Sequence, residues 1–214
     1  MLYLVSSAGG RMKIRISNLV FALALGVTSV AAGEQKASGQ VNILFDGKEV
    51  SIGPSFPRAS EYAAKFAAVE PSCDPYCVVP QQTANGITTI DEHGVLAFLM
   101  SAVGRRDGLL VDARMPLDRE LGFIPGSVNL PHETVEKNNE FRGDVLKALG
   151  VRTFEGVFNF TDSQQLVVFD NGPTQNDAGI LISHLLEAGY PAEQIKYYRG
   201  GMQVWSVLGL TVQE

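Results

Sequence analysis

The residues best placed for chemistry lie in LVVFDNGPTQNDAG, Leu166 to Gly179. An apolar run stops at Asp170. A turn-rich loop follows (Asn171, Gly172, Pro173, Thr174, Gln175, Asn176), and Asp177 stands where a helix begins. Ligands of α/β proteins bind at this strand-to-helix edge. A carboxylate there can act as a nucleophile and form an acyl phosphate. That chemistry needs magnesium held by further carboxylates, and only Asp177 is near in sequence. The alternative is a helix-proximal carboxylate satisfied by loop N–H groups, which makes the loop inert. Asp112 and Arg114, at the end of GLLVDAR, belong to the same sheet edge, as a structural ion pair or as part of a site. His93, His132 and His184 show no ligand spacing, so neither a metal site nor a cofactor is expected.

The chain has two cysteines, Cys73 and Cys77, in PSCDPYCVV. In an oxidising compartment an isolated close pair is most often a disulfide. Its small loop would contribute about 2 kcal/mol. A redox dithiol is the alternative, although three residues separate the cysteines where oxidoreductases have two.

The elements that must position these groups follow from pattern. VNILFDGKEVSIG alternates around Asp46-Gly47, a hairpin signal. SEYAAKFAAVE, Ser60 to Glu70, has helical composition with Ser60 as N-cap. From Gly86 the chain alternates strand and helix. GITTI, GLLVDAR, a short stretch in GFIPGSVNLP, LVVFD and IKYYRG read as strands. DEHGVLAFLMSAV, HETVEKNNEFRGDVLKALGV, DAGILISHLLEAGY and GMQVWSVLG read as helices, with Gly143 a weak point in the second and Gly189 closing the third. Such alternation predicts an α/β fold, an open, mostly parallel sheet with helices on both faces. LVVFD is its central strand.

The N-terminus differs. Arg11, Lys13 and Arg15 precede the apolar stretch LVFALALGV and the small residues TSVAAG, the order of a secretory signal peptide cleaved after Ala32. Met12 is a better start than Met1 for such a signal. The apolar run is too short to span a bilayer comfortably, so no membrane span is expected after cleavage. The division predicted is 1–32 signal peptide, 33–85 leader and extension, and 86–214 the main domain. Removing three cations and no acid from 17 basic and 23 acidic residues takes the formal charge from −6 to −9. No basic run remains to bind nucleic acid. The expected location is periplasmic or secreted.

Three segments in this order resemble the rhodanese family. LLVDARMPLDRELGFIPGSVNLP is similar to its Asp-x-Arg and G-x-I-P-G-A-x-N-[IL]-P signature. LVVFDNGPTQNDAGILISHLLEAGY resembles its active-site strand, loop and helix. IKYYRGGMQVWSVLGLTV resembles its closing G-G-x-x-x-W segment. Exported single-domain members carry C-P-P-F-C before the domain, and CDPYC resembles it. The resemblance implies roles. Gly122, Pro125 and Gly126 make a tight turn, Gly200-Gly201 permits a close backbone approach, and Trp205 anchors the core. In an active rhodanese a cysteine ends the central strand, its thiolate stabilised by loop N–H groups, and carries a persulfide. In the exported group the loop reads C-N-G-P-W-C-G-Q-S. Here Asp170 stands in place of the first cysteine, Asn171-Gly172-Pro173 is retained, and Thr174-Gln175 replaces Trp-Cys. A carboxylate cannot form a persulfide. The resemblance therefore implies an exported, catalytically inactive member acting as a binding or interaction module on a protein or small-molecule partner. A sulfurtransferase or thiol-redox protein using Cys73 or Cys77 is the alternative. If the N–H cradle survives, a cysteine placed at position 170 is expected to titrate below the free value of about 8.5.

Overall fold

The computed structural model describes residues 39–67, 78–84 and 86–214. Residues 1–32, where a signal peptide is expected, and Cys73 and Cys77 lie outside them.

Strands β1 (Val41–Phe45) and β2 (Lys48–Ile52) form the expected antiparallel hairpin, with Val41 opposite Ile52. Its turn puts both Asp46 and Gly47 at positive φ, 48° and 73°, as a two-residue hairpin requires. Helix α1 spans Phe56–Phe66. It starts four residues before the expected Ser60 because Pro57 sits in its first turn, where a fixed φ and a missing N–H cost nothing. Ser60 is therefore inside the helix and Ser55 is the N-cap residue.

The main sheet has five strands, all parallel: β3 (Thr88–Thr89), β4 (Gly108–Asp112), β5 (Ser127–Asn129), β8 (Gln165–Phe169) and β9 (Ile195–Tyr198). Their order is β3-β9-β8-β4-β5, so β8, ending in Phe169, is the central strand. Alternation along β8 splits two cores. Val167 and Phe169 face α2 (Glu92–Phe98), the π-helical turn Leu99–Val103 that continues it, and α6 (Gly201–Val207). Leu166 and Val168 face α4 (Arg142–Ala148) and α5 (Asp177–Ala188). The chain is thus an α/β fold with helices on both faces of the sheet. Helix α5 closes on Gly189 in the left-handed conformation, φ 97°.

Helix α1 and the β1–β2 hairpin complete the first core. Tyr62, Phe66, Ile43 and Ile52 are buried in the same cluster as Trp205 and Met202. Ser55 N–H donates to Gly209 O at 2.6 Å, and Gly53 exchanges bonds with the Thr211 hydroxyl at 2.9 and 3.0 Å.

Three local expectations are corrected. HETVEKNNEFRGDVLKALGV is not one helix. It forms a 3-10 turn, His132–Val135, then a turn, then α4. Asn139 makes the break, donating to Glu133 O and accepting from Phe141 N–H, both at 2.9 Å, bonds that compete with a helical ladder. Gly143 lies within α4. Helix α3 (Pro116–Glu120) was not anticipated. Nor was the hairpin β6 (Arg152–Phe154) and β7 (Val157–Asn159), whose signal was Glu155-Gly156 at φ 49° and 81°. Among the described residues, no helix is long and apolar enough to cross a membrane.

Candidate functional site

The loop after β8 is pinned from behind by α6. Met202 N–H donates to Asp170 O at 3.1 Å and Gln203 N–H to Asn171 O at 2.9 Å. These bonds require the helix start to lie against the loop backbone. A Cβ on Gly201, at φ 55°, would stand 2.5 Å from Asp170 O and 2.6 Å from Gly172 N. Only glycine fits, which is the physical content of the Gly-Gly pair. The Gln203 amide also donates to the Thr174 hydroxyl at 2.9 Å, and Gln175 N–H to Gly172 O at 3.0 Å. Trp205, fully buried, donates to Thr211 O at 2.8 Å.

Within this frame Asp170 has no exposed surface. Its Oδ1 accepts from Gly172 N–H at 2.9 Å and its Oδ2 from Ala178 N–H, in the first turn of α5, at 3.0 Å. The carboxylate thus takes up inward-pointing donors on both sides of the loop. Both oxygens are engaged and sealed, which leaves neither free to attack a phosphoryl group. Two effects oppose each other at this carboxyl. The N–H groups favour its charged form, whereas burial, with Asp177 and Asp112 nearby, favours the neutral one. Burial wins and pushes Asp170 up to about 7.

That shift has a consequence for stability. The folded state binds the Asp170 proton more tightly than the unfolded chain, so this residue favours folding most below pH ~4. The contribution is lost as pH rises from ~4 to about 7 and is level above. We expect wild-type stability, measured by urea denaturation, to contain a component of a few kcal/mol falling across that window. In Asp170→Asn the component should vanish. An unchanged pH profile would mean that Asp170 is ionised throughout.

Asp112 and Arg114 are also fully buried. They lie at the end of β4, beside β8, but are turned inward rather than towards an open site. Asp112 Oδ1 accepts from Arg114 Nε at 2.9 Å, and Oδ2 from Arg114 Nη2 at 2.7 Å. Arg114 donates further to Asp118 O at 3.1 Å and Gly122 O at 2.8 Å, so it ties α3 and the Gly122 turn to the strand. The sequence reading missed Arg119, whose Nη1 reaches Asp112 Oδ2 at 3.1 Å while its guanidinium stacks 3.8 Å above the Phe123 ring. Arg119 follows Asp112 by seven residues, and only the fold of α3 brings the two together.

The histidines are not all scattered. His132 Nε2 lies 3.8 Å from Asp177 Oδ1, and His184 Nδ1 is 3.0 Å from His132 O. Burial raises the Asp177 carboxyl, and His132 partly opposes it. His93 is on α2, away from this pair. Among the described residues no group of three or more His, Cys, Asp or Glu is placed to hold a metal ion.

The described chain preceding the main domain also reaches the loop. Val79 N–H donates to Pro173 O at 2.7 Å, and Val79 O accepts from Arg199 Nε and Nη2 at 3.0 and 2.8 Å. Asn171 Nδ2 contacts Phe66 O at 3.5 Å from the other side. Residues 78–84 and α1 therefore flank a loop fixed from behind by α6.

The family model of the rhodanese-like domain matches residues 97–208, and the chain belongs to that family. Similar solved structures include a reduced CoADR-RHD from Bacillus anthracis, 18% identical, with a TM-score of 0.39, covering 57% of this chain and 17% of that one. A rhodanese-related protein from Thermoplasma volcanium is 17% identical over 59% of this chain and 97% of its own, with a TM-score of 0.40. A thiosulfate sulfurtransferase from Pseudomonas aeruginosa is 19% identical over 60% of this chain, TM-score 0.42, and the match spans only 20% of that protein. No curated protein matches the chain.

Proposed function

We propose that this rhodanese-like domain is exported, performs no sulfur transfer, and acts as a binding or interaction module. The observation that carries the proposal is the Asp170 carboxylate, bonded to Gly172 N–H and Ala178 N–H in the loop. A persulfide needs a thiolate at this position, and a carboxyl group has no sulfur to form one, while its ionised fraction repels an anionic donor. No Lys or Arg lies in residues 171–179 to reverse that field. Export rests on the charge and hydropathy order of residues 1–32, and predicts a mature chain beginning at Gly33 in the periplasm or medium.

The test is the thiosulfate-to-cyanide assay. Wild-type protein is expected to give background rates only. Activity that persists in Cys73→Ser/Cys77→Ser would overturn the proposal.

A second reading has one observation in its favour. Val79, bonded to Pro173 at 2.7 Å, follows Cys77 by two residues. Chain connectivity therefore makes thiol chemistry from this pair at the loop worth testing. It predicts activity that is lost in the double serine variant, and free thiols on the isolated protein. A structural disulfide predicts neither, with two thiols appearing only after reduction.

A further inference from the structure

Beside the loop, on the flank away from Asp112, residues 79–83 and α5 enclose a cavity of about 220 Å³. Its wall carries polar groups of one kind. Gln82, Thr83, Asn176 and Tyr197 supply amides and hydroxyls, Ser183 adds a hydroxyl that already donates to Gly179 O at 2.9 Å, Pro80 adds an apolar surface, and among the described residues no charged side chain lines it. Tyr197 is almost wholly buried, yet among the described residues nothing bonds its hydroxyl. The same holds for the side-chain amide of Asn176, which does not cap its own helix. A cavity with several convergent, uncommitted polar groups is the usual form of a small-ligand site.

In the floor, the missing side chain of Gly179 leaves space that the Asn176 amide occupies. Gly179 is buried in the first turn of α5, where alanine would favour the helix. A Cβ at this position would come within 3.1 Å of both the Asn176 side-chain carbon and the Thr83 hydroxyl, and would press Asn176 into the cavity.

We propose that this cavity binds a small, uncharged, hydroxyl-rich molecule, of the monosaccharide or polyol class. Each ligand hydroxyl both donates and accepts, matching amides and hydroxyls that do the same. Pro80 offers an apolar surface to the C–H face of a sugar, while the Tyr197 ring itself is packed in the core. Among the described residues no cation is on the wall itself, since the nearby Arg199 guanidinium is engaged by Val79 O at 2.8 and 3.0 Å, so an anion has no direct partner there. The proposal goes beyond the absence of sulfur transfer and does not depend on Asp170, so the two can fail separately.

The experiment is a titration of the full mature chain followed by amide NMR shifts. The probes are D-ribose, D-glucose, D-galactose, N-acetylglucosamine and glycerol, with sodium sulfate and sodium acetate as anionic probes. At least one neutral probe is expected to shift the amides of Thr83, Gly179 and Tyr197, and neither anion should. Tyr197→Phe, which keeps the ring, should weaken that probe by about 5- to 10-fold, the loss of one hydrogen bond. Gly179→Ala should abolish binding while holding or raising the thermal midpoint, which separates loss of the site from loss of the fold. Shifts at these amides with sulfate or acetate, no shift with any neutral probe, or neutral-probe binding indifferent to both substitutions would each overturn the proposal.

Discussion

Arg114→Ala is expected to destabilise the domain by about 3–5 kcal/mol, the cost of breaking a buried ion pair from one side. Arg114 and Asp112 have no exposed surface, and the pair is closed by bonds of 2.7 and 2.9 Å. Removing the guanidinium also orphans the carbonyls of Asp118 and Gly122. It leaves Asp112 buried with Arg119 alone, and that cation is itself partly desolvated. Against a typical total of about 5–15 kcal/mol, such a loss can empty the folded state. Arg114→Lys should fall short of rescue, since one ammonium cannot reproduce a planar fork with four partners. Two comparisons separate this account from simple overpacking or cavity loss. Arg119→Ala should cost clearly less than Arg114→Ala, because Arg119 keeps some solvent exposure and Asp112 keeps its main partner. Asp112→Leu/Arg114→Met together should also cost less than Arg114→Ala, because no fully buried charge is then left unpaired, and the partly exposed Arg119 keeps its bonds to Ser127. Urea denaturation of the four variants at fixed pH measures the order. If Arg114→Ala loses less than about 1 kcal/mol, the pair is not the tie assigned to it here.

The second large effect concerns Asp170→Cys. The family resemblance suggests that a cysteine here would be acidic, because the loop keeps its N–H cradle. The geometry reverses that expectation. The frame is intact, held by Met202 and Gln203 N–H groups that do not involve the residue-170 side chain. The surroundings are wrong for a thiolate. Even a carboxylate accepting two N–H bonds is pushed upward here, by burial first and by Asp177 and Asp112 after it. Sulfur is the weaker acceptor, so the same bonds offset less of the same burial. The introduced thiol is expected to titrate above the free value of about 8.5. At neutral pH it should alkylate at least ~10-fold more slowly than free cysteine, and sulfur transfer should stay at background. Rates of iodoacetamide modification against pH, in a Cys73→Ser/Cys77→Ser background, give the value directly. A thiol titrating below 8.5 would show that the N–H groups outweigh burial once the carboxylate is gone.

Much of this protein was legible from local pattern. Apolar strand-like runs such as LVVFD, alternating along the chain with amphipathic helices, specified a mostly parallel sheet covered on both faces, because a strand buried on both sides is apolar at every position. Gly189 and Asp46-Gly47 fixed a helix end and a hairpin, since positive φ admits few residues. The Asp-x-Arg, NGP and Gly-Gly-x-x-x-Trp segments pointed to the family, and the resemblance of the loop implies that Asp170 stands in place of a thiol. Tertiary structure decided what these groups do. Asp112 and Arg114 are two residues apart, but whether they face solvent or core depends on α3 folding over them. His132 and His184 are 52 residues apart and meet beside Asp177 only through packing of α5. The pH range in which Asp170 titrates depends on tertiary structure chiefly through burial, which the chain packed around the loop imposes. The Ala178 and Gly172 N–H groups oppose that effect, and the Asp177 and Asp112 carboxylates add to it.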